Sequence, residues 1–204
     1  MRQKKTLLFA STNTAKIKEI QGLLPEYHIL SLLDFPEIDD VEETAADIKG
    51  NAKLKAEEVA KKVDLPVFSD DTGFFVDELD GFPGVHSARF TGEHRAYDKQ
   101  NEYIIEALEG KTNRNAHYET VVAFCRKGYS TQFFEGKMDL VVAEKESETE
   151  GFSYDTIVKT LEGNYVSELP SDEKAKLSSR GKAIMAFRRY LTTTKTEYWA
   201  GESS

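Results

Sequence analysis

Residues 66–90 read Pro66-Val67-Phe68-Ser69-Asp70-Asp71-Thr72-Gly73-Phe74-Phe75-Val76-Asp77-Glu78-Leu79-Asp80-Gly81-Phe82-Pro83-Gly84-Val85-His86-Ser87-Ala88-Arg89-Phe90. The opening Pro66-Val67-Phe68 reads as a strand that ends in the acidic pair Asp70-Asp71, and a loop rich in Gly and Pro follows through Gly81, Pro83 and Gly84. Upstream, Thr6 to Ala10 is a short buried strand. Asn13 then suits the N-cap of a helix in which Ile17, Ile20 and Leu24 recur at helical spacing until Pro25. Tyr27 to Leu33 reads as a second strand. Thr44 opens another helix with Asp47 in a capping-box arrangement and the apolar face Ala45, Ile48, Ala52, Ala56, Val59 and Val63. Downstream, Tyr97 to Leu108 is a helix stopped by Gly110. Tyr118 to Arg126 and Gln132 to Ala143 form a hairpin around Lys127-Gly128. Ser178 caps a last helix whose inward face is Ala183, Ile184, Phe187 and Leu191. The alternation predicts an α/β fold, a mixed central sheet flanked by helices with the hairpin region as a lobe. The polar tail from about 192 to 204 frays.

The chain has 204 residues, enough for a single domain. Asp and Glu number 36 against 27 Lys and Arg, a net charge of −9. So acidic a chain lacks the basic footprint that nucleic acid requires and has no attraction to an anionic membrane. The single cysteine, Cys125, excludes an internal disulfide and a Cys-based zinc site. It lies among apolar neighbours and reads as core. No stretch approaches the roughly 18 apolar residues of a membrane span, and the apolar run after Met1-Arg2-Gln3-Lys4-Lys5 is too short for a secretion signal. The expected setting is cytoplasmic. The histidines at 28, 86, 94 and 117 are scattered without metal-ligand spacing.

Four places have the residue types for chemistry. Ser11-Thr12-Asn13-Thr14-Ala15-Lys16 lies between a strand and a helix, where free N–H groups and a partial positive charge suit a phosphate, and Lys16 reaches an anion held there. Without Walker spacing it is not a P-loop; alone, it also reads as an ordinary capped helix. The acidic pairs Glu42-Glu43 and Asp70-Asp71 make a hard oxygen site suited to Mg²⁺, beside which an Asp accepts a proton from water; singly, each pair also reads as solvated surface charge. Gly151-Phe152-Ser153-Tyr154-Asp155 places aromatics in a Gly-led loop, which suits stacking on a nucleobase and equally suits a core. Lys174 and Ser178-Ser179-Arg180 form the fourth. Arg180 starts the inward face of the last helix, where a cation needs a partner, whether ligand oxygen or internal carboxylate.

Taken in order, these segments, with Glu19, Asn51-Ala52-x-x-Lys55-Ala56, the 69–90 block, Glu168 and Glu173, resemble the Ham1/RdgB family of inosine- and xanthosine-triphosphate pyrophosphatases. The resemblance runs from about Leu7 to Leu191. It implies an ITPase-like fold of two lobes with a cleft between them, carried by a single domain over 1–204. It implies Mg²⁺-dependent hydrolysis of ITP, dITP and XTP to monophosphate and pyrophosphate, and a homodimer. Carried over by position, Ser11, Thr12, Asn13, Thr14, Ala15 and Lys16 hold the triphosphate. Glu42 and Asp71 hold the metal, and Asp71 takes the proton with Lys16 as the catalytic cation. Thr72 lies beside the substrate. Phe152, Ser153, Tyr154 and Asp155 line the base pocket with Phe152 as stacking platform, and Lys174, Ser179 and Arg180 close on base and phosphates.

The chain departs from the family at the base end. Ser179 stands for a His that contacts the purine, Ser153 for a Gly, Thr156 for a Pro, and the acidic Glu144-Lys145-Glu146-Ser147-Glu148 for the Pro-Arg-Gly usual upstream. The phosphate half is intact and the base half has drifted, so the expectation is a working pyrophosphatase with altered or relaxed base preference. Two alternatives stand beside it: the same fold acting on modified pyrimidine or standard purine triphosphates, and a nucleotide binder without turnover. Retention of Lys16, Glu42, Asp70 and Asp71 argues against the last.

Overall fold

The computed structural model describes residues 4–87, 97–151 and 153–193. Its elements are β1 (Thr6–Phe9), α1 (Thr14–Leu23), β2 (His28–Ser31), α2 (Ile48–Ala60), β3 (Val67–Val76), β4 (Pro83–Gly84), α3 (Tyr97–Ala107), β5 (Asn115–Cys125), β6 (Gln132–Val142), β7 (Val158–Lys159), α4 (Ser171–Leu177) and α5 (Ser179–Thr193). The strands form one sheet in the order β2-β1-β3-β5-β6-β7, with β4 paired to β3 off that path. β1 runs parallel to β2 and to β3, with Phe9 opposite Phe68, while β3–β4 and β6–β7 are antiparallel. The fold is therefore α/β with a mixed sheet, as the alternation of patterns predicts. Leu7, Leu8 and Phe9 are all buried, the mark of a parallel strand covered on both faces. No helix among the described residues is long and apolar enough to cross a membrane.

The residues gather into two compact units. The first takes the chain up to Asp71, then Thr120–Gly136, then the chain from Gly181 on; the second takes Thr72–Glu119 and Lys137–Arg180. The core of the first is built on aromatic rings. Phe68 stacks on Phe9 at 4.9 Å, and Phe187 meets Phe68 at 5.2 Å, Phe124 at 4.9 Å and Phe134 at 5.3 Å. Ile17, Ile20 and Leu24 come in from α1, and Ala183, Ile184 and Leu191 from α5, the faces their spacing foretold. The core of the second gathers Phe74, Val76, Ile104, Leu108, Met138, Leu140, Ile157 and Val158 around Tyr154.

Several boundaries differ from the sequence reading. β3 does not end at Asp70-Asp71. It continues to Val76 because Phe74 and Phe75 pair with Gly84 and Pro83. The Gly- and Pro-rich loop is thus partly a hairpin, turned by Asp77–Leu79 and by Asp80 and Gly81 at φ 52° and 79°. α2 begins at Ile48 rather than Thr44. Asp47 is its N-cap, accepting the Gly50 N–H at 2.6 Å, and the Asn51 side chain takes the Ala45 N–H at 2.9 Å, which holds that segment out of the helix. β2 stops at Ser31, whose capping box with Asp34 starts a 3₁₀ turn. α4 has no counterpart in the sequence reading, and Ser178 is its C-cap immediately before α5. Thr192 and Thr193, read as tail, still belong to α5. Ala88, Arg89, Phe90, His94 and the tail from 194 lie outside the described residues.

Phe187 is where four rings of the first unit meet. Its truncation to Ala is expected to cost about 3–5 kcal/mol and to lower Tm by about 10 °C or more. Met185→Ala, on the exposed side of the same helix, should move Tm by no more than about 2 °C. Thermal unfolding of both variants checks this.

Candidate active site

Strand geometry decides how the two acids of β3 are used, since successive side chains point to opposite faces. Ser69 and Asp71 share one face. There the Ser69 hydroxyl donates to the Ala52 carbonyl of α2, and Asp71 Oδ1 lies 3.6 Å from Lys55 Nζ, one turn further along α2. Phe68 and Asp70 share the other, where Phe68 joins the aromatic core and Asp70 Oδ1 accepts from Lys16 Nζ of α1 at 3.1 Å. Lys55 also donates to Glu43 Oε1 at 2.7 Å. Three carboxylates (Glu43, Asp70, Asp71) thus meet two ammonium groups (Lys16, Lys55), which leaves one negative charge in a largely buried setting.

The electrostatics follow from burial. Desolvation of the Asp71 carboxyl pushes its pKa up to about 6, against the pull of Lys55 and Lys16 and with help from Glu43 and Asp70. Burial works against the Lys55 ammonium, yet Asp71, Asp70 and Glu43 outweigh it and hold its pKa above the ordinary lysine value.

Before α1 the chain makes a tight polar turn. Ser11 Oγ accepts the Asn13 N–H at 3.1 Å, Asn13 Oδ1 accepts the Lys16 N–H at 3.1 Å, and Thr12 Oγ1 donates to Asp40 at 2.9 Å. Asn13 is the N-cap, as its sequence position predicts. Thr14 and Ala15 are exposed, and the first turn of α1 carries no acidic residue of its own.

In the second unit, Ser153–Thr156 form a 3₁₀ turn. Asp155 is buried there; its Oδ1 accepts from the Tyr118 hydroxyl at 3.3 Å and its Oδ2 pairs with the Lys174 ammonium. Burial, then Asp155, hold the Tyr118 phenol well above its usual pKa. Tyr154 does not offer its ring to a base. It is buried, stacked on Phe74 at 4.6 Å, with its hydroxyl donating to the Ser87 carbonyl and Gln100 Oε1 at 2.8 Å. Phe152 lies outside the described residues. Ser179 is buried at the start of α5, and Arg180 and Thr72 are half-buried.

The structure therefore brings Lys16 together with Asp70, and Asp71 together with Lys55 and Glu43. Glu42 is exposed; of the two adjacent acids, Glu43 joins the cluster. Lys55 is the residue that sequence reasoning passed over except as part of a motif. Its signal was present: it lies on the inward face of α2 between Ala52 and Ala56, where a lysine needs a buried partner. Among the described residues, no three His, Cys, Asp or Glu side chains form a ready-made metal cage.

Compared with known proteins, the chain matches the Ham1 family over residues 7–190. A dITP/XTP pyrophosphatase of Flavobacterium johnsoniae is 41% identical over 191 residues, spanning 93% of this chain and 99% of that protein. One from Listeria monocytogenes is 36% identical over 190 residues, 91% of this chain and 94% of its own. Among solved structures, the Ham1 protein of Staphylococcus aureus has a TM-score of 0.87 at 30% identity, covering 94% of this chain and 100% of that one. A HAM1 protein from Coxiella burnetii gives 0.86 at 29%, covering 93% and 100%.

Asp71 binds its proton more tightly in the folded chain than in the unfolded one, so its contribution to stability is whole below pH 3.8 and is lost as pH rises through about 6. Asp71→Asn removes this penalty while Lys55 keeps Glu43. The variant should be more stable than the parent at pH 8, by about 1–2 kcal/mol, with the gap closing toward pH 4. Thermal unfolding in metal-free buffer at both pH values tests it; equal Tm at pH 8 would contradict it.

Proposed function

The chain belongs to the Ham1 family, and on that footing we propose that it hydrolyses deaminated purine nucleoside triphosphates (dITP, ITP and XTP) to the monophosphate and pyrophosphate. The relatives named as dITP/XTP pyrophosphatases support this substrate class. The observation that carries the reading is the meeting of the α1 lysine, Lys16, with the buried acids of β3, beside the Lys55–Glu43 pair. A surface patch has no need of carboxylates buried at such cost, whereas a phosphate-hydrolysing site does.

The triphosphate is assigned to Ser11, Thr12, Asn13, Thr14, Ala15 and Lys16, through the outward N–H groups of the first turn of α1 and the Lys16 ammonium. A divalent metal fits the acidic cluster. Its donors are hard oxygens and its two ammonium groups leave one negative charge, which suits Mg²⁺, an ion that keeps waters and shares its shell with substrate phosphates. Asp71 and Glu43 are the residues that would hold it, and Glu42, which the resemblance assigns to the metal, is exposed beside Glu43 in the chain. When bound, the ion supplies charge neutralisation across the phosphates.

The chain's own residues do the rest. Lys55 fixes the orientation of Asp71 and Glu43. The Asp71 carboxylate accepts the proton of the attacking water, the α–β phosphoanhydride breaks, and pyrophosphate leaves with its charge met by Lys16 and the end of α1. Thr72 follows Asp71 on β3 beside the reacting end. In the second unit, Asp155 with Lys174 offers a fixed acceptor and a donor for the base edge. Ser153 and Arg180 are assigned to the same pocket by their positions in the sequence, and Phe152 is assigned as its stacking platform. Tyr154 supports that loop from the core. Ser179, buried and without a ring, cannot replace an imidazole contact to the purine, which weakens discrimination by about 1–3 kcal/mol.

Pyrophosphate release with Mg²⁺ should be measured across dITP, ITP, XTP, GTP, ATP and the pyrimidine triphosphates. Turnover is expected with the deaminated purines first, and with a narrower margin over GTP than a full set of base contacts would give. Asp71→Asn should lower kcat by about 10²–10⁴-fold, and Lys16→Ala should raise KM for every triphosphate. Binding without pyrophosphate release from any of them would overturn the proposal in favour of a nucleotide binder.

A further inference from the structure

The turn Ser153–Thr156 is held by polar contacts that the hydrolytic scheme leaves unused. Ser153 sits at φ 60°, a left-handed conformation that is uncommon for a residue with a side chain and persists where neighbours over-determine it. Asn101 of α3, 2% exposed, is one such neighbour. Its Nδ2 lies 3.2 Å from the Ser153 carbonyl oxygen, 3.0 Å from Thr156 Oγ1 and 3.1 Å from Glu146 Oε1. The Thr156 hydroxyl donates to the same Glu146 oxygen. Asn101 and Thr156 thus converge on one oxygen of Glu146, an exposed residue of the strap after β6.

That strap is itself fixed. The Ala143 N–H donates to the Ile157 carbonyl at 2.8 Å and the Ser147 N–H to the Thr156 carbonyl at 2.7 Å, which prolongs the β6–β7 pairing past both strand ends. The Tyr165 hydroxyl donates to the Lys145 carbonyl at 2.8 Å, and the Ser147 hydroxyl to Glu168 at 3.1 Å. Glu146 is thus presented from a braced backbone.

We propose that Asn101 and Glu146 are positioning residues for base recognition. Through Thr156 and the Ser153 carbonyl they set the turn that aims the Asp155 carboxylate, which Tyr118 and Lys174 meet from its other sides. Thr156 stands where the resembled family carries Pro, and Glu146 lies in the acidic stretch that replaces its Pro-Arg-Gly. The two departures are bonded to each other, so a rigid ring is replaced by a side-chain tie. The inference rests on the assignment of residues 152–155 to the base.

The test is steady-state hydrolysis of dITP by Glu146→Ala, Glu146→Gln and Lys174→Met, with competitive inhibition by inorganic tripolyphosphate, which has no base. Glu146→Ala should raise KM for dITP about three- to tenfold, with kcat within about twofold. The tripolyphosphate inhibition constant should stay unchanged. Glu146→Gln keeps an acceptor oxygen and should return KM to within about twofold of the parent. An unchanged KM in Glu146→Ala with a raised KM in Lys174→Met would overturn the positioning role and leave the base assignment standing. Unchanged KM in both would overturn the two together. A tripolyphosphate constant that shifts in step with KM would reduce Glu146 to a purely structural part.

Discussion

Two adjacent carboxylates buried on one strand are the constraint around which the first unit is arranged. Asp70 and Asp71 point to opposite faces of β3, and each meets the lysine of a different helix. α1 brings Lys16 in its first turn, which places the open end of that helix beside the acids. α2 brings Lys55, and its alanines, Ala52 and Ala56, let it lie close enough for Ser69 to bond the Ala52 carbonyl. The aromatic stack of Phe9, Phe68 and Phe187 supplies the burial that offsets this expense. Desolvated carboxylates are poor choices for stability, and their presence is explained by chemistry that needs a basic oxygen at a fixed place.

The second unit solves a different problem. Its Asp155 is held by a phenol and an ammonium rather than set against other acids, which suits the recognition role proposed for it rather than proton transfer.

Much of this was legible in the residues. The Asn13 cap, the inward stripe of α5 ending in Phe187 and Leu191, and the acidic pair on the third strand are local patterns, and local patterns survive folding. What was missed depended on distant partners. Glu42 and Glu43 are equivalent as letters, and only the reach of Lys55 selects Glu43. The extension of β3 to Val76 required the return of Pro83-Gly84, which turns what looks like a loop into a ladder. Tyr154 looked like a base-facing aromatic because loop aromatics and core aromatics share one alphabet; its stack on Phe74 decides between them. Asp47 rather than Thr44 starts α2 because Asn51 captures the Ala45 amide, an interaction that no periodicity encodes.

The path of the chain has a consequence for ancestry. The boundary between the two units is passed four times, inside β3, β5, β6 and α5, so neither unit is a continuous stretch of sequence. A gene fragment that encodes one of them alone cannot be cut out, duplicated or fused elsewhere. Exchange between relatives must then proceed by substitution in place. The departures that the resemblance puts at residues 144–148, 153, 156 and 179 are of that kind, changes of side chains in place.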